Sequence, residues 1–150
     1  MKAIEYKPIG IIHSPFQTPE ETPIQPRAAG RAMGQLEVFA EYEQALADLE
    51  RFSHIILIYH FHLTRERSLT VKPRHEDSRH GSLATRAAER PNPIGLSVVR
   101  LEAVDGANVI VTGIDVVDGT PLIDIKPFVP SVDQQYGANL GWLADRYDAG

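Results

Sequence analysis

A chain of 150 residues with a formal net charge of -5 and no cysteine fits one domain around a single core and excludes disulfides, thiolate metal sites and cysteine nucleophiles. No apolar run approaches the roughly 20 residues of a membrane helix, and the N-terminus lacks a basic-then-apolar signal pattern, so the composition points to a cytosolic protein with no membrane association. The charge disfavours a uniformly basic surface but not a local one: Arg65, Arg67, Lys72, Arg74, Arg79, Arg86 and Arg90, with His75 and His80, cluster together, while Glu20, Glu21 and the stretch Glu37 to Glu50 carry much of the acid.

In chain order, Lys7 to His13 reads as a strand that stops at Ser14-Pro15. Thr18 to Gly34 holds Pro19, Pro23, Pro26, Gly30 and Gly34 and reads as a long ordered loop, and connections beyond about 12–15 residues are usually functional or disordered; Gln25 and Arg27 among fixed prolines favour binding. Gln35 to Phe39 alternates as a strand. Tyr42, Ala45, Leu46 and Leu49 recur at helical spacing opposite Glu43, Asp48 and Glu50, which predicts an amphipathic helix over 42–51. Phe52 to Leu63 is an almost continuous apolar strand, which predicts burial on both faces through its middle. Arg65 to Gly81 reads as polar and mobile. Ile94 to Ala103 and Ala107 to Val117 form a hairpin across Asp105-Gly106, Leu122 to Ile125 is a further short strand, and the tail from Ser131 has no decisive pattern. Six or seven strands with one helix between early strands predict a small antiparallel β-barrel, closed or partly open, in a single domain.

Two turn blocks stand out: Arg90-Pro91-Asn92-Pro93-Ile94-Gly95 and Asp118-Gly119-Thr120-Pro121. Prolines fix φ and remove backbone donors, so Arg90 and Asn92 are presented from a backbone that loses little entropy on binding. Arg86 and Arg90 are either solvated or clamps for a carboxylate or phosphate. His60 and His62 are two apart on this strand, so both rings project to the same face; without a third ligand the spacing suits a pocket-lining strand end better than a metal. Asp115, Asp118 and Asp124 could act as acid and base, although turn capping accounts for at least one of them. No phosphate-cradling glycine loop and no nucleophile elbow is present.

With these blocks in view, the chain resembles the TsaA/YaeB (TrmO-like) family. The resemblance rests on Pro8 to Phe16, Leu49 to His62, Ala84-Thr85-Arg86 through Arg90 to Ser97, and Asp115 through Asp118 to Pro130, all in order, and spans a core of about residues 6–133, with 134–150 as a tail. It implies a small β-barrel homodimer that holds S-adenosylmethionine near the subunit interface and methylates N6 of threonylcarbamoyladenosine beside the anticodon of tRNA, with no metal. Carried onto this sequence, it implies a cofactor pocket of Pro23, Ile24, Gln25, His62, Leu63, Arg86, Leu96, Asp118, Gly119, Thr120 and Pro121, substrate contact or pocket shaping by Arg90 and Asn92, and His62 as candidate base. Two features depart from the family: its loop often reads Pro-Arg-Gln-Pro where this chain has Pro23-Ile24-Gln25-Pro26, and its longer members carry a further C-terminal region. A cofactor-binding module without tRNA methylation, or methylation of a small metabolite, is the alternative.

Overall fold

The computed structural model describes residues 1–23 and 30–146. Its frame is eight strands: β1 (Gly10–His13), β2 (Met33–Val38), β3 (His54–His60), β4 (Thr70–Val71), β5 (His80–Gly81), β6 (Ile94–Asp105), β7 (Asn108–Thr112) and β8 (Thr120–Pro127). Six of them close an antiparallel barrel in the order β1-β2-β7-β6-β3-β8, and β4 and β5 pair separately. The predicted antiparallel barrel is therefore present in closed form.

Alternation builds the interior. Inward positions are Ile12, Leu36, Val38, Ile55, Leu57, Tyr59, Val99, Leu101, Val109, Val111 and Leu122, all buried, while their neighbours along each strand face out. Gly95 belongs to the same inner row: a Cβ there would lie 2.2 Å from the Tyr59 ring, so the absent side chain is what admits the phenol. β3 alternates between buried and half-buried residues and is not buried on both faces as its composition predicts; Ile56 and Ile58 lie on the outer wall because a closed barrel has only one interior.

The predicted helix over 42–51 is instead two 3-10 turns, Ala40–Leu46 and Leu49–Arg51, broken at Asp48 with φ of 71°. Leu46 is buried and Tyr42 and Leu49 pack against the core, so the apolar positions do meet the interior while the left-handed residue interrupts the hydrogen-bond ladder. Among the described residues the α-helix is the four-residue α1 (Pro130–Asp133).

The hairpin at Asp105-Gly106 forms, with Gly106 at φ of 61°. β7 stops at Thr112, five residues short of the expected strand end, and the chain then crosses the barrel mouth. Gly113 and Ile114 donate to the Ala32 carbonyl at 2.9 and 3.2 Å, and Asp118 and Gly119 donate to the carbonyls of Phe16 and Ile12 at 2.7 and 2.8 Å. Ile114 and Val116 are buried beneath this strap and stopper the mouth.

The stretch 65–81 is tied down, contrary to its polar reading. Arg79 donates to the Thr70 carbonyl at 2.7 Å and Ser82 to that of Leu69 at 2.9 Å. The tail clamps this β4–β5 flap from outside: Trp142 stacks on His80 with centroids 4.0 Å apart and donates to the Ala84 carbonyl at 2.7 Å. Arg146 pairs with Glu76 at 3.0 Å and donates to the carbonyls of Arg74 and His75 at 3.2 and 2.7 Å. The tail's order comes from these long-range contacts, which no local pattern announces.

Candidate active site at the barrel mouth

The antiparallel register brings the C-terminal ends of β1 and β3 and the N-terminal ends of β2, β6 and β8 to one end of the barrel. Of the residues singled out from sequence, His62, Leu63, Arg90, Asn92, Leu96 and Asp118 to Pro121 all flank those strand ends. Arg86 lies in the loop that leads into the N-terminal end of β6, and Pro23 closes the described part of the loop that leads towards β2. Ile24 and Gln25, with Arg27, lie outside the described residues.

The Asp118 turn is held by its own backbone and by the end of β1. Asp118 Oδ1 accepts from the Ser14 amide at 2.9 Å and lies 3.6 Å from His13 Nδ1. Gly119 adopts φ of 84°, a left-handed conformation that glycine takes without steric cost, and the Thr120 hydroxyl donates to the Val117 carbonyl at 2.6 Å. Beside this turn a groove of about 310 Å³ is lined by His13, Ser14, Met33, Gly34, Gln35 and Ile110. Sequence reasoning did not place a site wall there, and Asp118 borders the groove through its bond to Ser14.

On the opposite rim, the Phe61 amide donates to the Pro93 carbonyl at 2.8 Å, which ties the end of β3 to the proline-rich turn. Phe61 packs T-shaped on Tyr59 with centroids 5.5 Å apart. β3 ends at His60, so His62 stands on an exposed turn and does not continue the strand face that the i, i+2 spacing predicts. Partial desolvation of the ring, followed by repulsion from His60, lowers the His62 pKa, so the neutral ring is favoured near neutral pH. Arg90 donates Nη1 to the carbonyls of Thr85 and Ala87 at 2.8 and 3.2 Å; its guanidinium braces the loop that carries Arg86. Arg86 itself is exposed.

Three residues that the sequence did not mark as a unit form a polar chain under the mouth. Ser97 donates to Asp115 Oδ1 at 2.5 Å, so its oxygen is left to accept from the Tyr59 hydroxyl at 2.8 Å. Burial raises the pKa of Asp115 against the opposing influence of Ser97 and Arg86, and burial followed by the Asp115 charge pushes the Tyr59 phenol up. A partly desolvated carboxyl is thus held on the strap and tied to the inner wall of the barrel through Ser97. The missed signal was a serine at an inward β6 position and a tyrosine at an inward β3 position. Among the described residues no group of three His, Asp or Glu is placed to hold a metal.

This donor set fits a charged nucleoside such as S-adenosylmethionine on chemical grounds. It offers an exposed guanidinium to a carboxylate, carboxylate oxygens to cationic or hydroxyl groups, exposed Leu63 and Leu96 to an apolar ring face, and backbone groups of a fixed turn.

The chain matches the tRNA-methyltransferase O N-terminal domain family over residues 11–134. It is 52% identical over 138 residues to a probable S-adenosyl-L-methionine-binding protein of Pyrococcus abyssi, covering 92% of this chain and 75% of that one. It is 40% identical over 152 residues to the tRNA (adenine(37)-N6)-methyltransferase of Escherichia coli K12, covering 95% of this chain and 65% of the relative. The crystal structure of TrmO from Pseudomonas aeruginosa superposes with a TM-score of 0.81 at 41% identity, covering 96% of this chain and 64% of that one. The chain thus spans about two thirds of the length of these last two proteins.

Proposed function

Because the chain belongs to the tRNA-methyltransferase O N-terminal domain family, we propose that it binds S-adenosylmethionine at the barrel mouth and directs methylation of N6 of an adenosine in tRNA, in the cytoplasm where tRNA is found. The observation that carries this reading is the convergence of His62, Leu63, Arg86, Leu96 and the Asp118 turn on one end of a barrel whose relatives are named for this cofactor and this substrate. The base we assign is the threonylcarbamoylated adenosine beside the anticodon.

When bound, the cofactor supplies a methyl carbon activated by the adjoining sulfonium. The protein's part is positioning: a nucleophile held about 3–3.5 Å from the carbon it attacks recovers much of the barrier without covalent help. Arg86 receives the carboxylate of the methionyl arm, with Arg90 bracing its loop. Asp118 faces cationic or hydroxyl groups, fixed in place by the Ser14 amide. Leu63 and Leu96 cover apolar surface. His62, held neutral, accepts the proton that the N6 amine releases, and Asn92 on the rigid turn is left to contact the RNA base.

Leu96 has a second implication. It lies 43% exposed on the outer wall of β6 between Ile94 and Val98, 51% and 45% exposed, and opposite Ile58 of β3. Apolar rows of this kind mark association surfaces, and we assign this one to a second copy of the chain, so that the cofactor touching Leu96 sits at the seam of a homodimer.

Titration with S-adenosylmethionine, followed by transfer of labelled methyl to tRNA isolated from cells and nucleoside mass spectrometry, tests the reading. Binding with a gain of methylated threonylcarbamoyladenosine is expected. Binding without incorporation into any tRNA leaves a cofactor-binding module, transfer to a small metabolite alone leaves the other alternative, and absence of binding removes the site.

A further inference from the structure

The flap that separates the two halves of the site has a charge unlike the rest of the chain. Residues 64–85 hold five Lys or Arg and three Asp or Glu, whereas the remaining residues hold ten Lys or Arg and seventeen Asp or Glu. Of the flap's acids, Glu76 is neutralised by Arg146, and Arg65, Arg67, Lys72, Arg74 and Arg79 are all exposed. The opposite end of the barrel is acidic: the two 3-10 turns between residues 40 and 51 carry Glu41, Glu43, Asp48 and Glu50 against Arg51, and Asp105 lies at the β6–β7 hairpin tip. The far end of the barrel is therefore acidic, while at the mouth end the flap is the cationic surface, set beside Glu20 and Glu21 of the β1–β2 connection.

The flap's ends fix where that charge lies. It leaves the barrel immediately after His62 and Leu63 and returns immediately before Arg86, so both of its roots are candidate site residues. It also carries the His80 and Trp142 stack, with centroids 4.0 Å apart and rings 13° from parallel, an aromatic platform whose tryptophan is pinned to the Ala84 carbonyl. Exposed cations beside a stacked aromatic pair are the combination that grips nucleic acid strands, the cations by releasing counterions from phosphates and the rings by stacking on bases.

We propose that the 64–85 flap, with Trp142, is the surface on which the RNA backbone docks, and that the acidic far end turns the polyanion towards the mouth. This rests on the methyltransferase reading above and deepens it by naming the surface that holds the substrate. An acidic protein can then bind RNA because only the flap needs to be attractive, and oriented fields of this kind raise the rate of productive encounter.

The experiment compares the wild type with the Arg65→Gln/Lys72→Gln/Arg74→Gln variant, using tRNA isolated from cells in filter-binding assays across a salt series and in methylation assays. If the flap docks RNA, the slope of log K against log salt falls by roughly 2–3, about 0.7–0.9 for each phosphate no longer neutralised. The KM for tRNA rises at least about tenfold, while affinity for S-adenosylmethionine is unchanged. Unchanged KM and slope in a variant that still methylates overturn the docking surface and leave the methyltransferase reading standing. A wild type that binds the cofactor but neither binds nor methylates tRNA overturns both. Trp142 is the single tryptophan, so wild-type fluorescence gives a test independent of any substitution: tRNA should change it with the same Kd as filter binding, and an unchanged signal at saturating tRNA overturns the proposal.

Discussion

The Ser97 hydroxyl lies 2.5 Å from an oxygen of Asp115, a hydrogen bond from the inner wall of the barrel to the strap across its mouth. Because the Tyr59 hydroxyl lies 2.8 Å from the same serine oxygen, removing Ser97 leaves two poorly solvated polar groups without their partner. Ser97→Ala is expected to destabilise the fold by about 1–3 kcal/mol. Asp115→Asn should do the reverse at neutral pH. Burial raises the folded pKa of Asp115, so its contribution to stability is complete below the unfolded value of about 3.9 and lost as pH rises through the folded value. Urea midpoints should show Asp115→Asn above the wild type at pH 7 and level with it below about pH 4; a gap independent of pH would mean that Asp115 does not titrate in this environment.

As the proposed acceptor of the N6 proton, His62 should set the pH dependence of methyl transfer. Its lowered pKa keeps the neutral ring dominant near pH 7, so kcat/KM should be flat there and fall on acidification only below the ordinary histidine value of about 6.5. His62→Gln should lower kcat by about 10²-fold or more, the lower range for a positioned general base, and abolish that acid limb. A variant that retains both the rate and the limb would assign proton release to water or another group.

Arg90 should act through Arg86 without touching the cofactor. Its two bonds to the Thr85 and Ala87 carbonyls are worth roughly 1–3 kcal/mol together. Arg90→Ala is expected to weaken S-adenosylmethionine binding by about tenfold in calorimetry, with Arg90→Lys recovering little because an ammonium lacks the planar fork. Full affinity in Arg90→Ala would show that the loop holds its shape without this brace.

The outer wall of β3 and β6 predicts an oligomeric state. Val98 is 45% exposed in the apolar row and paired with Ile56, so Val98→Glu should bring two carboxylates into one apolar contact and split the dimer. Light scattering coupled to gel filtration is expected to show the mass of two chains for the wild type and one for the variant. A variant that stays paired places the interface elsewhere.

The barrel strands were legible because runs of strand-forming residues, alternating at Gln35 to Phe39 and almost continuously apolar at Phe52 to Leu63, stand out from the turn-forming blocks, and the Asp105-Gly106 hairpin because that pair suits a left-handed turn. Helical spacing at Tyr42, Leu46 and Leu49 marks the residues that meet the core but not the backbone that delivers them, since a single left-handed residue, Asp48, converts one helix into two turns. The flap reads as mobile from its composition because its order depends on Trp142 and Arg146, about sixty to seventy residues away along the chain. The Tyr59, Ser97 and Asp115 chain was invisible for the same reason: its members come from β3, β6 and the strap, and only the closed topology brings them together. Positions at strand ends and rigid turns were readable as candidates; which of them brace a loop, as Arg90 does, required the hydrogen bonds.

Closure of the six-strand cylinder has one further effect. Every barrel strand has a hydrogen-bonded neighbour on each side, so a second subunit cannot join by extending the sheet and finds no unsatisfied main-chain ladder to template onto. Association through the barrel wall must therefore run through side chains, which makes it adjustable one residue at a time and protects that wall from the runaway stacking that an open sheet with the same apolar face would invite.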